Sequence, residues 1–106
     1  MSRSVAVVGD LFMRAGMFEE ALRAIAGVDL TIRSMELQWP DEAMSHGYSS
    51  DTAGELAALR EFMGNPAEIA SFVGDAEIFV DHLAPVTASM LDQLPNLRLI
   101  AVSRGG

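Results

Sequence analysis

The sequence contains no cysteine and no lysine, and each absence removes a class of chemistry. Without cysteine the chain forms no disulfides, no zinc–thiolate sites and no thiol nucleophile. All seven basic residues are arginine, which excludes a lysine base, a lysine Schiff base and a phosphate-binding lysine. The dinucleotide fingerprint G-x-G-x-x-G is missing as well, so these residues are not expected to bind NAD by that device.

Long apolar runs and net positive charge are also missing. The first apolar run, residues 4–9, is too short for a signal-peptide core or a membrane span. The formal net charge of -8 argues against nucleic acid or an anionic membrane as a partner. We therefore expect a soluble, cytoplasmic protein that binds neither nucleic acid nor membrane.

The residues that are present predict one α/β domain over residues 1–106, because half of them are hydrophobic. Four short apolar runs are typical of strands, and apolar residues recur at helical spacing between them. The order βα-β-αα-β-α-β predicts a parallel sheet with right-handed crossovers and helices on both faces. The predicted strands are 4–9, 30–35, 76–80 and 97–102, and the predicted helices are 17–26, 51–63, 66–73 and 87–94.

We expect a flavodoxin-like sheet in which four strands are present and a fifth is missing, since the sequence stops directly after the fourth. The apolar runs 78–80 and 97–102 look like strands buried on both faces. The run 30–35 is less apolar and is expected nearer a sheet edge. Asn65 and Thr87 are predicted helix caps, with Pro66 in the first turn after Asn65.

Ligands of an open parallel sheet bind outside the carboxyl ends of its strands, which directs attention to the residues that follow each strand. These are Asp10, residues 81–85 (DHLAP) and residues 103–106 (SRGG). The two final glycines suit either an anion-binding nest of backbone amides or a plain tight turn. His82 suits either a ligand contact or a histidine hydrogen-bonded to nearby backbone. Trp39, in a predicted loop, is interpreted as a packed anchor rather than a lid.

Asp10 and Asp81, both at strand ends, are similar to the acids of a phosphoacceptor receiver domain, which hold Mg²⁺ through oxygen ligands. A receiver also needs a lysine, and this chain has none. The two acids are 81 − 10 = 71 positions apart, too far for the compact order of a receiver. Acids at strand ends more often cap turns. A stand-alone signalling or binding module of flavodoxin-like fold, the receiver type included, is the alternative function.

Residues 75–80 (DAEIFV), residues 85–87 (PVT), Leu91 and residues 94–100 (LPNLRLI) together resemble a passage in the D-isomer-specific 2-hydroxyacid dehydrogenases. That family includes phosphoglycerate dehydrogenase, glycerate and glyoxylate reductases, and formate dehydrogenase. The close match covers about thirty residues, and the order of strands and helices extends it loosely over the whole chain.

The resemblance implies the amino-terminal part of a flavodoxin-like substrate-binding domain, packed against a separate Rossmann domain that binds NAD and is absent from residues 1–106. The whole protein would be an NAD-dependent oxidoreductase acting on the CH–OH group of a small anionic D-2-hydroxy or 2-keto acid. It would work as a homodimer, and NADP is left open as the cofactor. The implied substrate-binding residues are His82, Leu83, Arg104, Gly105 and Gly106.

In the family, the catalytic arginine, glutamate and histidine lie beyond the position of Gly106, so no residue here is assigned a catalytic role. Many members have Arg-Ser where this chain has Asp81 and His82. That departure removes a cation that a phosphorylated substrate could use, and it puts phosphoglycerate specificity in doubt.

Overall fold

The computed structural model describes residues 2–25, 27–38 and 64–103. These residues form seven elements: β1 (Arg3–Gly9), α1 (Ala15–Arg23), β2 (Leu30–Glu36), α2 (Pro66–Val73), β3 (Ile78–Asp81), α3 (Ala88–Asp92) and β4 (Leu99–Val102). The predicted helix 51–63, the loop that holds Trp39 and the site residues 104–106 lie outside the described residues.

The strands form one parallel sheet in the order β2-β1-β3-β4, which confirms the predicted flavodoxin-like arrangement. The chain runs outward from β1 to β2 and then returns to the other side of β1 to form β3. The winding therefore reverses between β1 and β3, and such a switch point at the carboxyl ends is where open parallel sheets bind their ligands. Val8 of β1 lies opposite Asp81 of β3, so these two strands end at nearly the same level.

Alternate residues of β1 bury against opposite layers, and this places helices on both faces as predicted. Val5 and Val7 pack with Ala15 and Phe18 of α1. Ala6 and Val8 face the larger core, which α2 and α3 cover. The residues of that larger core include Ile69, Val73, Phe79, Leu83, Met90 and Leu94. Residues 5–10 are all buried, which makes β1 the central strand.

The prediction that the last strand is buried on both faces is wrong. β4 pairs with β3 and with no other strand in the described part of the chain. Leu99 is 55% exposed and Val102 is 51% exposed, whereas β3 buries its last three residues as predicted. A short apolar run has the same pattern in a central and an outer strand, so the sequence alone did not separate them. The other outer strand is β2, which confirms its predicted place at an edge.

Both predicted helix caps are confirmed. The Asn65 side chain accepts hydrogen bonds from the amides of Ala67 (2.9 Å) and Glu68 (3.1 Å), and Pro66 begins α2. The Thr87 hydroxyl accepts a hydrogen bond from the Met90 amide at 3.2 Å. None of the helices in the described ranges is long and apolar enough to cross a membrane.

Candidate functional site

The turn after β1 depends on the absence of a side chain at Gly9. A Cβ atom at this position would lie 2.4 Å from the Ala15 amide nitrogen and 2.8 Å from the Met13 carbonyl oxygen. Both are backbone atoms that cannot rotate away, so only glycine permits the approach. The close approach folds residues 10–14 back over the end of the strand.

Asp10 lies inside this turn and is fully buried. Its Oδ1 accepts hydrogen bonds from the amides of Phe12 (2.8 Å) and Met13 (2.9 Å), the local pattern that aspartate forms in turns. Its Oδ2 lies 2.8 Å from Nδ1 of His82, the residue that follows the neighbouring strand β3. The carboxylate therefore joins two strand ends that are far apart in the sequence.

His82 is the residue directly after β3, and its side chain is 12% exposed. If the Asp10 carboxyl group is ionised, Nδ1 is the donor of this hydrogen bond, because a carboxylate only accepts hydrogen bonds. The ring of Phe12 meets the imidazole edge-on, with 6.3 Å between the ring centroids. The residues at the ends of β1 and β3 form what we term the switch-point cluster, which comprises Asp10, Phe12, Asp81 and His82.

Asp81 closes the inner side of the cluster and is 1% exposed. Its Oδ1 accepts a hydrogen bond from the Ala84 amide at 2.8 Å, which holds the turn that presents His82. Burial raises the pKa of Asp81 to about 7, the hydrogen bonds from the amides of Ala84 and His82 partly oppose that rise, and the negative charge of Asp10 adds to it. Asp81 consequently gains and loses its proton near neutral pH.

Glu36, the last residue of β2, ties the start of α1 to the same edge of the sheet. Its Oε2 accepts hydrogen bonds from Arg14 Nε (2.9 Å) and from the Ala15 amide (2.9 Å). The hydrogen bond from Arg14 holds the pKa of Glu36 below its usual value. Because the helix has no cap from its own Arg14 side chain, Glu36 supplies the acceptor from a neighbouring strand.

The predicted substrate-binding residues differ in where the structure places them. His82 directly follows β3 at the carboxyl edge of the sheet, as predicted, and contacts Asp10 at the end of β1. The Leu83 side chain is 1% exposed and packs in the larger core, so a ligand does not reach it. Arg104, Gly105 and Gly106 lie outside the described residues, although Ser103 just before them donates its amide to the Asp81 carbonyl at 3.0 Å.

Two features escaped the sequence analysis, the contact of Asp10 with His82 and the place of Glu36 at the end of β2. Asp10 was noted only as an acid at a strand end. The signal that could have found its partner is the flavodoxin-like strand order, because that order makes β1 and β3 neighbours.

The acids at the strand ends do not assemble a metal site within the described ranges. There, no group of three or more histidine, aspartate or glutamate side chains is placed to hold a cation. Asp10 instead accepts hydrogen bonds from two amides and contacts an imidazole, and Asp81 accepts hydrogen bonds from the amides of Ala84 and His82.

Fold and cluster together define an α/β protein of flavodoxin-like topology with a histidine–aspartate pair at the topological switch point. Comparisons with models of protein families, with curated proteins and with solved structures found no match to this chain. Its function is therefore argued from its own residues and their geometry.

Proposed function

We propose that this chain forms the amino-terminal part of the substrate-binding domain of an NAD-dependent dehydrogenase that acts on a small D-2-hydroxy acid. The observation that carries the proposal is the shared carboxyl edge of β1, β3 and β4. Asp81 lies opposite Val102 in the sheet, and the Ser103 amide donates to the Asp81 carbonyl at 3.0 Å. The segment with His82 and the segment that leads to Gly105 therefore leave the sheet side by side.

In this proposal the two segments line one substrate crevice. The main-chain amides of Gly105 and Gly106 bind the substrate carboxylate, since glycine lets backbone approach an anion closely and amides need no counter-charge. His82 faces the same ligand from the neighbouring strand end. Such fixed contacts orient the hydrogen on C2 towards a nicotinamide, which is the contribution of a substrate-binding wall to hydride transfer.

The cofactor is assigned to a separate Rossmann domain, because the sequence contains no G-x-G-x-x-G turn. NAD supplies the hydride chemistry when it is bound there, with NADP left open. The residues that transfer the substrate proton are assigned to that separate domain as well. Residues 1–106 on their own are not expected to catalyse the reaction, and the natural protein is expected to work as a cytoplasmic homodimer.

The proposal is tested by replacing Gly105 in the protein at its natural length. Gly105→Pro removes one carboxylate-binding amide, so the dissociation constant for the 2-keto acid rises at least tenfold while that for NADH stays the same. Gly105→Ala keeps the amide and adds only a methyl group, so its loss of substrate affinity is expected to be smaller than that of Gly105→Pro. Equal losses for substrate and NADH, or no loss for either, would contradict the assigned role.

A stand-alone receiver-like module is the alternative, and the switch-point cluster does not favour it. Asp81 is 1% exposed and its carboxylate is bound to the Ala84 amide, so a phosphodonor has no open path to it. Incubation with Mg²⁺ and acetyl phosphate, followed by mass spectrometry, is the check. We expect no phosphorylation, and an acylphosphate on Asp81 would exclude the dehydrogenase proposal.

A further inference from the structure

We propose that His82 accepts a hydrogen bond from an uncharged hydroxyl group of the substrate, and that Asp10 is the positioning residue that gives His82 this role. The substrate class that follows is a 2-hydroxy or 2-keto acid whose substituent carries a hydroxyl group rather than a phosphate. The substrate class rests on the proposed function, whereas the role of Asp10 rests on the geometry alone.

The Asp10 side chain is held rigidly. Its carboxylate is fully buried, and the amides of Phe12 and Met13 fix Oδ1 at 2.8 and 2.9 Å. The carboxylate therefore cannot rotate, and Oδ2 stays directed at His82 Nδ1 at 2.8 Å. A carboxylate held in this way orients an imidazole and selects the tautomer with hydrogen on Nδ1.

The opposite nitrogen of the ring, Nε2, is the atom that would contact the substrate. In the tautomer that Asp10 selects, Nε2 of the neutral imidazole carries no hydrogen and is a hydrogen-bond acceptor. Among the described residues, the His82 ring has its one hydrogen bond with Asp10, and no buried side-chain nitrogen or oxygen there lacks a partner. Nε2 is therefore the ring nitrogen left for a ligand on an imidazole that is 12% exposed and lies beside the Phe12 ring.

The charged groups near His82 disfavour a phosphate group on the substrate. The titratable groups behind His82 are the carboxyl groups of Asp10 and Asp81, each almost completely buried. Arg14, the cation of the described residues on this edge, is bound by Glu36 at 2.9 Å. A phosphate dianion would thus meet buried acidic groups and, among the described residues, no unpaired cation beside His82, whereas a neutral hydroxyl meets no such electrostatic penalty.

The positioning role is tested by long-range ¹H–¹⁵N spectra of the imidazoles at a pH about two units above the ordinary histidine pKa. The sequence has two histidines, so His46→Gln assigns the signals of His82. We expect hydrogen on Nδ1 in the unaltered protein. In Asp10→Asn an amide NH₂ group takes the place of Oδ2 and donates to Nδ1, so the hydrogen moves to Nε2. Hydrogen on Nε2 in the unaltered protein, or no change in Asp10→Asn, would overturn the proposal.

The substrate class is tested by calorimetry with three acids that differ in one substituent, D-lactate, D-glycerate and D-3-phosphoglycerate, on the protein at its natural length. We expect D-glycerate to bind about tenfold more tightly than either of the others, and His82→Leu to abolish that preference. His82→Gln keeps an acceptor oxygen and should restore part of it. Tightest binding by D-3-phosphoglycerate, or an unchanged preference in His82→Leu, would overturn the substrate class.

The two tests fail separately. If none of the three acids binds while the tautomers behave as expected, the proposed function and its substrate class are wrong and the positioning role of Asp10 is still supported. If the acids bind but Asp10→Asn leaves the tautomer unchanged, the proposed function survives and the role of Asp10 does not.

Discussion

Gly9 and Ala15 approach each other so closely that a Cβ atom on Gly9 would lie 2.4 Å from the Ala15 amide nitrogen. This approach closes the turn between β1 and α1, and the same turn directs the Asp10 carboxylate towards His82. The missing side chain at Gly9 is thus the local cause of the site geometry.

Gly9→Ala is expected to lower the free energy of unfolding by about 3 kcal/mol or more, because its methyl group collides with backbone that must move. Gly16→Ala is the matched control. Nothing lies within 4 Å of the Cβ atom that it adds inside α1, so stability stays equal or rises by up to about 1 kcal/mol. Urea denaturation of both variants is the measurement, and similar small effects at the two positions would contradict the account.

The burial of Asp81 predicts a pH-dependent stability. Its pKa in the folded state is about 7, above the ordinary value of 3.8, so between these values the folded protein binds more protons than the unfolded chain. The contribution of the protonated carboxyl is therefore fully present below about pH 4 and is lost as the pH rises through about 7. Between pH 5 and pH 8 we expect the free energy of unfolding to fall by roughly 3 kcal/mol from this group.

Asp81→Asn isolates that contribution, since the amide resembles the protonated carboxyl and keeps an oxygen for the Ala84 amide. Urea denaturation at pH 5 and pH 8 should show the decline in the unaltered protein and in Asp92→Asn, an exposed control on α3, but not in Asp81→Asn. Parallel pH profiles for all three proteins would show that Asp81 does not titrate in this way.

The cap of α2 predicts a smaller effect. Asn65→Ala removes the acceptor of the Ala67 and Glu68 amides and should cost about 1 kcal/mol of stability in chemical denaturation. Asn96→Ala removes only a 3.4 Å contact of an exposed side chain with the Asp75 carbonyl, and its expected cost stays within about 0.5 kcal/mol. A larger loss at Asn96 than at Asn65 would rule out the capping role.

Much of this fold could be predicted from local patterns in the sequence. Apolar runs and helical spacing gave the order of the described elements, and Asn65 and Thr87 marked two helix starts, because these signals depend on neighbouring residues only. The exposure of β4 was missed, since it depends on what lies beside the strand. Glu36 was assigned to a loop because its acceptor role becomes visible only beside Arg14 and Ala15 of α1.

The site was predictable at its strand ends and not in its pairing. His82 follows β3, and the general rule for parallel sheets placed it at the binding edge. Its contact with Asp10 spans 72 positions in the chain and needs both the strand order and the register of β1 with β3. Neither is encoded in the spacing of residues along the sequence, so only the assembled sheet brings this pair together.

The proposed function makes this chain one wall of the substrate site of a 2-hydroxyacid dehydrogenase. The test is to mix the protein at its natural length with NADH and each of a panel of 2-keto acids. The loss of NADH absorbance measures turnover. We predict turnover with at least one acid, strongest where the substituent bears a hydroxyl group, and a markedly lower rate in His82→Leu. No turnover with any acid, for NADH and NADPH alike, would contradict the account.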